Sequence, residues 1–344
     1  MDLGSRAFEE GARMFDGPMA IFDPAHALDH PVTRWCLIAI GAALAVAPLV
    51  MLAIGRRLSA ETRRDIWTRY WTWLVITPLV VVPLVVCKFG AVFIVTVVAL
   101  LAYREFARAT GFFRERAMSV VVALSILTMA FAALDNWHRL FVAVPPLGVA
   151  ALAMMAVAKD QPQGFLQRVG LGAVGLLLFG SGLMHLAFFT NSTLFRPVLL
   201  MLLIATQASD IGAYCVGKAF GRRKLFPNTS PRKTLAGHIG AFVVAGGLSA
   251  GLAHVIYRGT AIDRWDHLLL FGALIGVGAQ AGDLVLGSIK RDLGLKDLAK
   301  FLPGHGGVTD RANSLLLVAP IAFHFVAYFL GDVADVARRI ISGG

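Results

Sequence analysis

The sequence predicts an all-α, polytopic integral membrane protein, and three observations carry that prediction. Hydrophobic residues make up 57% of the 344, charged residues only 15%, and mean hydropathy is +0.71. A soluble domain carries about 25% charged and about 45–50% apolar residues. Stretches close to the roughly 20 apolar residues that cross a bilayer recur from Cys36 to Leu330 with short polar gaps. Finally, Lys and Arg gather on alternate sides of those stretches, the positive-inside pattern.

Taken in order, the apolar stretches are 36–55, 71–87, 90–103, 118–134, 140–158, 167–189, 194–217, 235–256, 266–288 and 313–331. Only Lys88-Phe89-Gly90 separates the second from the short third. That pair reads as a tight hairpin or one broken span, so the total is nine or ten. With the N-terminus outside, the inward segments hold five, four, two, six and five Lys and Arg, or 22 of 32. Both termini then lie outside and the basic loops 218–233 and 289–311 lie in the cytoplasm. Residues 1–31 form a polar N-terminal segment, 32–199 the first membrane half, 200–331 the polar-rich membrane half and 332–344 a short tail.

Asp2, Glu9, Glu10, Asp16 and Asp23 interrupt the first 30 residues, which therefore do not read as a secretory signal. Phe8, Met14, Met19, Ile21 and Phe22 allow a weak amphipathic piece at the interface, the alternative being an irregular terminus. Cys36, Cys87 and Cys215 have no metal-ligand spacing and read as small membrane-buried hydrophobes. The formal charge of +11 in so apolar a chain points to anionic lipid or an anionic substrate, not to nucleic acid.

The first half is quiet: its ionisable residues sit in loops or at helix ends, and Arg104-Glu105 reads as an interfacial pair. The second half places Asp210 in Gln207-Ala208-Ser209-Asp210-Ile211-Gly212-Ala213-Tyr214 and Asp283 in Gln280-Ala281-Gly282-Asp283. A carboxylate inside a span costs roughly 2.5–3.5 kcal/mol on insertion scales, so it demands a partner, a cation or water. The Gln, Ser and small residues around both favour a polar cavity open to the cytoplasm over an end-of-helix contact. The glycines there fit close helix packing or backbone approach to a phosphate equally well.

Each Asp precedes a basic loop. The first contains Lys218, Arg222, Arg223, Lys224, Ser230, Arg232 and Lys233. The second contains Ser288, Lys290, Arg291, Lys296, Asp297, then Pro303-Gly304-His305-Gly306-Gly307-Val308-Thr309-Asp310-Arg311. Cations and free backbone N–H groups bind phosphate oxygens, while carboxylates among them hold Mg²⁺ bridging those oxygens. That mixture describes a nucleoside-triphosphate site better than lipid anchoring. Gly212 to Ala219 nearly spells a P-loop, but Ala219 replaces the Mg²⁺-binding Ser/Thr and the stretch ends an apolar helix.

These residues resemble the phosphatidate cytidylyltransferase (CDP-diacylglycerol synthase) family. Ser288, Lys290-Arg291, Lys296-Asp297, Pro303, His305-Gly306-Gly307 and Asp310-Arg311 follow its signature, with one residue in place of two between Ser288 and Lys290. Asp210, Gly212-Ala213-Tyr214 and Ser230-Pro231-Arg232-Lys233-Thr234 match its upstream pattern. The resemblance covers about residues 200–330. It departs at Ala236, where the family has Glu, and at Asn313, where it has the last Asp.

The resemblance implies transfer of a cytidylyl group from CTP to phosphatidate, giving CDP-diacylglycerol and pyrophosphate, at the cytoplasmic face of a bacterial inner membrane. It implies that Asp283 and Asp310 hold Mg²⁺, with Lys290, Arg291 and His305 catalytic. Asp210, Ser230, Lys233, Ser288, Lys296, Asp297, Gly306, Gly307 and Arg311 would bind CTP or the lipid phosphate. A homodimer is compatible with this reading. The two missing acids keep another lipid phosphate, or a silent paralogue, as alternatives. A secondary transporter fits the Gly-rich helices with intramembrane Asp but leaves the basic loops unexplained.

Overall fold

Helix geometry begins where hydropathy does not reach. Ser59 Oγ accepts the Thr62 N–H at 3.2 Å and Glu61 lies in the first turn, the favourable end of the dipole for an acid. Arg69 and Asp65 pair across one turn at 3.0 Å. The second helix therefore starts at Ala60, well before the apolar run at Trp71. In the computed structural model, residues 21–55, 58–231, 233–331 and 339–343 are described. Among them, ten helices are long and apolar enough to cross a membrane. They are α1 Pro31–Gly55, α2 Ala60–Val86, α3 Lys88–Ala109, α4 Arg116–Leu134, α5 His138–Val157, α6 Phe165–Asn191, α7 Phe195–Phe220, α8 Leu235–Ile256, α9 Trp265–Asp292 and α10 Val308–Leu330. The described residues contain no strand; two isolated bridges, Lys224–Thr234 and Leu302–Gly306, close loops.

The choice between nine and ten spans resolves at Cys87. This one extended residue (φ −154°, ψ 164°) ends α2 and caps α3, its Sγ accepting the Gly90 N–H at 3.3 Å. Lys88-Phe89-Gly90, read from sequence as the separator, forms the first turn of α3, which runs a full 22 residues. Cys36 is buried, but Cys87 is this half-buried cap and Cys215 faces outward from α7. Of the residues expected at an N-terminal interface, Phe8, Met14 and Met19 lie outside the described residues. Ile21 is buried, and Phe22 packs on Phe89 with ring centroids 5.0 Å apart. Arg196 ties this region down, donating to the Val85 carbonyl at 2.8 Å and the Ala25 carbonyl at 3.4 Å. On the same side, Asp135 accepts the Ile341 and Ser342 N–H groups at 2.6 and 2.9 Å.

Helix α3 threads the interior, burying Ala91, Val95, Ala99, Ala102 and Phe106. Helices α7, α8 and α9 approach closely through small residues; a Cβ on Gly246 would stand 2.8 Å from the Gly272 carbonyl oxygen. Helix α10 is interrupted at Asn313-Ser314 between Val308–Ala312 and Leu315–Leu330. There α9 crosses it so closely that any Cβ on Gly282 would run into the Asn313 carbonyl oxygen. Gly282 thereby presses Asp283 against the break in α10. Gly212, beside Asp210, makes a similarly close approach: a Cβ there would stand 3.0 Å from the Gly240 carbonyl oxygen.

Candidate active site

The crossing of α9 and α10 gathers the signature residues. Asp283 forms an ion pair with Lys233, and its Oδ1 accepts the Asn313 Nδ2–H at 2.6 Å. One turn before Asn313, Asp310 is buried; its Oδ1 accepts from Lys290 Nζ at 2.8 Å and its Oδ2 from the Gly307 N–H at 2.9 Å. Two carboxylates with a lysine on each thus flank a single helix break. Asp210 stands on α7 within electrostatic reach of Lys233 and Arg311.

The loop before α10 is built by its glycines. Leu302 N–H donates to the Gly306 carbonyl at 2.7 Å and His305 N–H to the Leu302 carbonyl at 3.0 Å. Gly306 has φ +80°, a conformation L side chains rarely adopt. A Cβ there would also meet Asp310 Oδ2 at 2.7 Å and Asp297 Cγ at 3.5 Å. Asp297 therefore lies beside the Asp310 carboxylate. His305 packs edge-on against Trp73 at 5.5 Å. Burial, helped by the Arg311 and Arg69 cations, holds its pKa below the ordinary histidine value, outweighing its hydrogen bond to the Pro303 carbonyl.

The other residues singled out in the sequence divide into two groups. Arg291 bridges the loops, donating to the Thr229 and Leu295 carbonyls at 3.4 and 3.1 Å. Ser288 bonds its own helix at the Leu284 carbonyl, 3.0 Å away. Ser230 is half-buried in the turn leading to Lys233, whose N–H donates to the Ser230 carbonyl at 3.1 Å. Lys296 and Arg311 are exposed, free to meet a ligand. Gly307 is buried, since a Cβ there would strike the Glu105 carboxylate.

That carboxylate overturns the reading of the first half as quiet. Glu105 is only 6% exposed. It accepts the Val308 N–H at 2.9 Å, the Thr309 N–H at 2.9 Å and the Thr309 hydroxyl at 2.7 Å. It caps the first turn of α10, satisfying N–H groups that have no intrahelical partner. The pair Arg104-Glu105 is split: Arg104 is exposed and Glu105 is locked inward. Helix α2 supports the same loop, with Thr72 Oγ1 donating to the Pro303 carbonyl at 2.9 Å and Arg69 lying against Gly304. One signal in the sequence pointed this way: a lone acid in a helix otherwise ending in arginines.

A second polar chain was also unforeseen. Gln280 Nε2 donates to Ser209 Oγ at 2.8 Å, and its Oε1 meets His238 Nδ1 at 2.7 Å. It knits α7, α8 and α9 beside Asp210 and Asp283.

Oxygen donors suit Mg²⁺, which commonly takes one or two carboxylates and completes its shell with substrate phosphates and water. Asp283 and Asp310 fit that requirement. Among the described residues no three His, Cys, Asp or Glu side chains converge as a closed metal cage, so the remaining ligands would come from substrate or solvent.

Known proteins resemble this chain. The cytidylyltransferase family matches residues 67–329. An Escherichia coli relative called uncharacterized protein YnbB is 36% identical over 239 residues, covering 67% of this chain and 77% of that protein. A Bacillus subtilis phosphatidate cytidylyltransferase is 40% identical over 127 residues, 37% of this chain and 46% of its own. A Synechocystis phosphatidate cytidylyltransferase is 39% identical over 127 residues, 36% and 41% respectively. The chain thus spans under half the length of these two relatives. The family match begins at Trp67, so it takes in the α2 and α3 supports as well as the signature. A match over most of the chain, on the helices and loops that assemble the paired carboxylates, means that this protein belongs to the cytidylyltransferase family.

Proposed function

We propose that the protein transfers a cytidylyl group from CTP to phosphatidate, releasing pyrophosphate and leaving CDP-diacylglycerol in the bilayer. The observation that carries this reading is the pair of lysine–carboxylate contacts, Lys233 with Asp283 and Lys290 with Asp310, at one helix break below two basic loops. A triphosphate brings negative charge that competes for the lysines, and a divalent cation competes for the carboxylates. The two lysine–carboxylate pairs offset each other's charge, and binding would exchange these partners for phosphate and cation.

The attacking phosphate oxygen is anionic near pH 7, so the barrier lies in bringing anions together and in charge on the leaving pyrophosphate. Positioning and electrostatic stabilisation then supply catalysis. Mg²⁺ held by Asp283 and Asp310 would supply charge neutralisation across the triphosphate. Lys233, Lys290 and the exposed Lys296 and Arg311 offer cations to the phosphates. The Gly304–Gly307 turn offers backbone close to the nucleotide, and the neutral His305 a hydrogen-bonding edge. Phosphatidate enters sideways from the membrane, which fits carboxylates placed on helices beside the basic loops. The excess of Lys and Arg on alternate loops supports a site on the cytoplasmic face of a bacterial inner membrane.

A second reading keeps the chemistry and changes the acceptor to another lipid phosphate. Asn313 favours it, because a neutral amide occupies one Asp283 oxygen at the position where the resembling family has a carboxylate. CTP labelled in its α-phosphate, offered with a panel of lipid phosphates in mixed micelles, separates the two. Labelled CDP-diacylglycerol formed fastest from phosphatidate supports the first reading, and faster labelling of another lipid supports the second. No labelled lipid from any member of the panel rejects both.

A further inference from the structure

Helix α3 carries a second charged feature on the side away from Glu105. Arg104 and Arg108, one turn apart, and Arg116 at the start of α4 line one cavity of about 460 Å³. Tyr103 and Ser119 close its polar end through a 2.8 Å hydrogen bond. Leu100, Val120 and Ala123 form its wall deeper along the helices. The nearby acids are engaged elsewhere: Glu105 clamps α10, and Glu115 pairs with Lys159. Among the described residues none of the three arginines has an ion-pair partner, and all three are exposed. Three like charges around one hole repel each other, and an anion relieves that repulsion. The apolar side turns outward: Val120 in the wall and Leu124 one turn further along α4 are 54% and 55% exposed. Phe113, 49% exposed, stands at the rim, as interfacial aromatics do.

We propose that this α3–α4 cavity binds the head group of an anionic phospholipid, with the acyl chains lying along Val120 and Leu124 outside the protein. Basic pockets between membrane helices on this face take lipid phosphates in this way, and guanidinium–phosphate hydrogen bonds are charge-assisted. The site is separate from the Asp283–Asp310 centre and holds whether or not the cytidylyl-transfer reading does.

The test is native mass spectrometry of the full chain released from nanodiscs of equimolar phosphatidylglycerol and phosphatidylcholine. The wild type should retain one phosphatidylglycerol in about tenfold preference over phosphatidylcholine, equivalent to about 1.4 kcal/mol. The R104Q/R108Q/R116Q variant should bring that preference to parity. Ser119→Glu places a carboxylate in the lining beside the three arginines, keeps every topology-setting cation, and should do the same; it decides the matter if the triple variant does not insert. Equal retention of both lipids by the wild type overturns the proposal, as does preference preserved in Ser119→Glu. Displacement of the lipid by glycerol 3-phosphate would show a site for a free phosphate ester and overturn it too.

Discussion

Replacing Glu105 is the sharpest perturbation available to the first half of the chain. Its carboxylate accepts three hydrogen bonds, one on Oε1 and two on Oε2, and it is nearly fully buried. Gln keeps the size and one carbonyl oxygen but turns an NH₂ toward at least one donor. An unmet buried donor costs about 1–3 kcal/mol, so Glu105→Gln should destabilise by about that much. Ala strands both backbone donors, while the Thr309 hydroxyl keeps the Ala102 carbonyl at 3.2 Å; at about 1–3 kcal/mol per unmet donor the cost should be about 2–6 kcal/mol. The same turn carries Asp310, and misplacing a catalytic group by about 1 Å can cost about 10²-fold. Glu105→Gln should therefore lower turnover by about 10- to 100-fold, with Glu105→Asp intermediate because it keeps the charge but withdraws it by one methylene. Thermal unfolding in detergent and pyrophosphate release from CTP and phosphatidate read the two effects. A Glu105→Gln protein with wild-type Tm and wild-type turnover would refute the claim that this clamp sets Asp310.

Three further outcomes follow from the same geometry. Asp283→Asn preserves shape and the Asn313 contact but removes the charge facing Lys233; turnover should fall by at least about 10²-fold with Tm nearly unchanged, and near-normal turnover would remove Asp283 from the metal pair. Gly282→Ala drives a Cβ into the Asn313 carbonyl, an overpacking cost of about 1–3 kcal/mol; chemical unfolding in micelles should show the loss, and equal stability would mean the crossing can open. His305, held below its ordinary pKa by burial and the Arg311 and Arg69 cations, stays neutral in the fold. The unfolded chain then binds the extra proton first, so stability is full above the ordinary histidine value of about 6.5 and is lost as pH falls through it. The wild-type Tm should drop more between neutral and mildly acidic pH than that of His305→Gln; identical slopes would contradict the assignment.

Much of this organisation was legible in the amino-acid order. Hydropathy located the apolar part of every span because burial in lipid is the one demand all ten helices share. It missed the first turns of α2, since Ser59, Glu61 and the Asp65–Arg69 pair stabilise a helix without apolar residues. It also left the α2–α3 break ambiguous, because a single extended residue, Cys87, makes that turn. The signature loops revealed the carboxylates and lysines through residue type and spacing. Their pairing, Lys233 with Asp283 and Lys290 with Asp310, depends on how α9 meets the α10 break, and nothing local in the sequence encodes that. Glu105 was misread for a similar reason. Beside arginines at a helix end, an acid looks interfacial until a helix some 200 residues later places its unpaired N–H groups against it.

On the proposed function, the paired carboxylates at the α9–α10 crossing serve a CTP-dependent transfer to a lipid phosphate. Pyrophosphate release by the purified protein, given CTP and phosphatidate with and without Mg²⁺, tests it most directly. Release should require CTP, phosphatidate and Mg²⁺ together and be lost in both Asp283→Asn and Asp310→Asn. Release that is indifferent to Mg²⁺, or that persists in both variants, would contradict it.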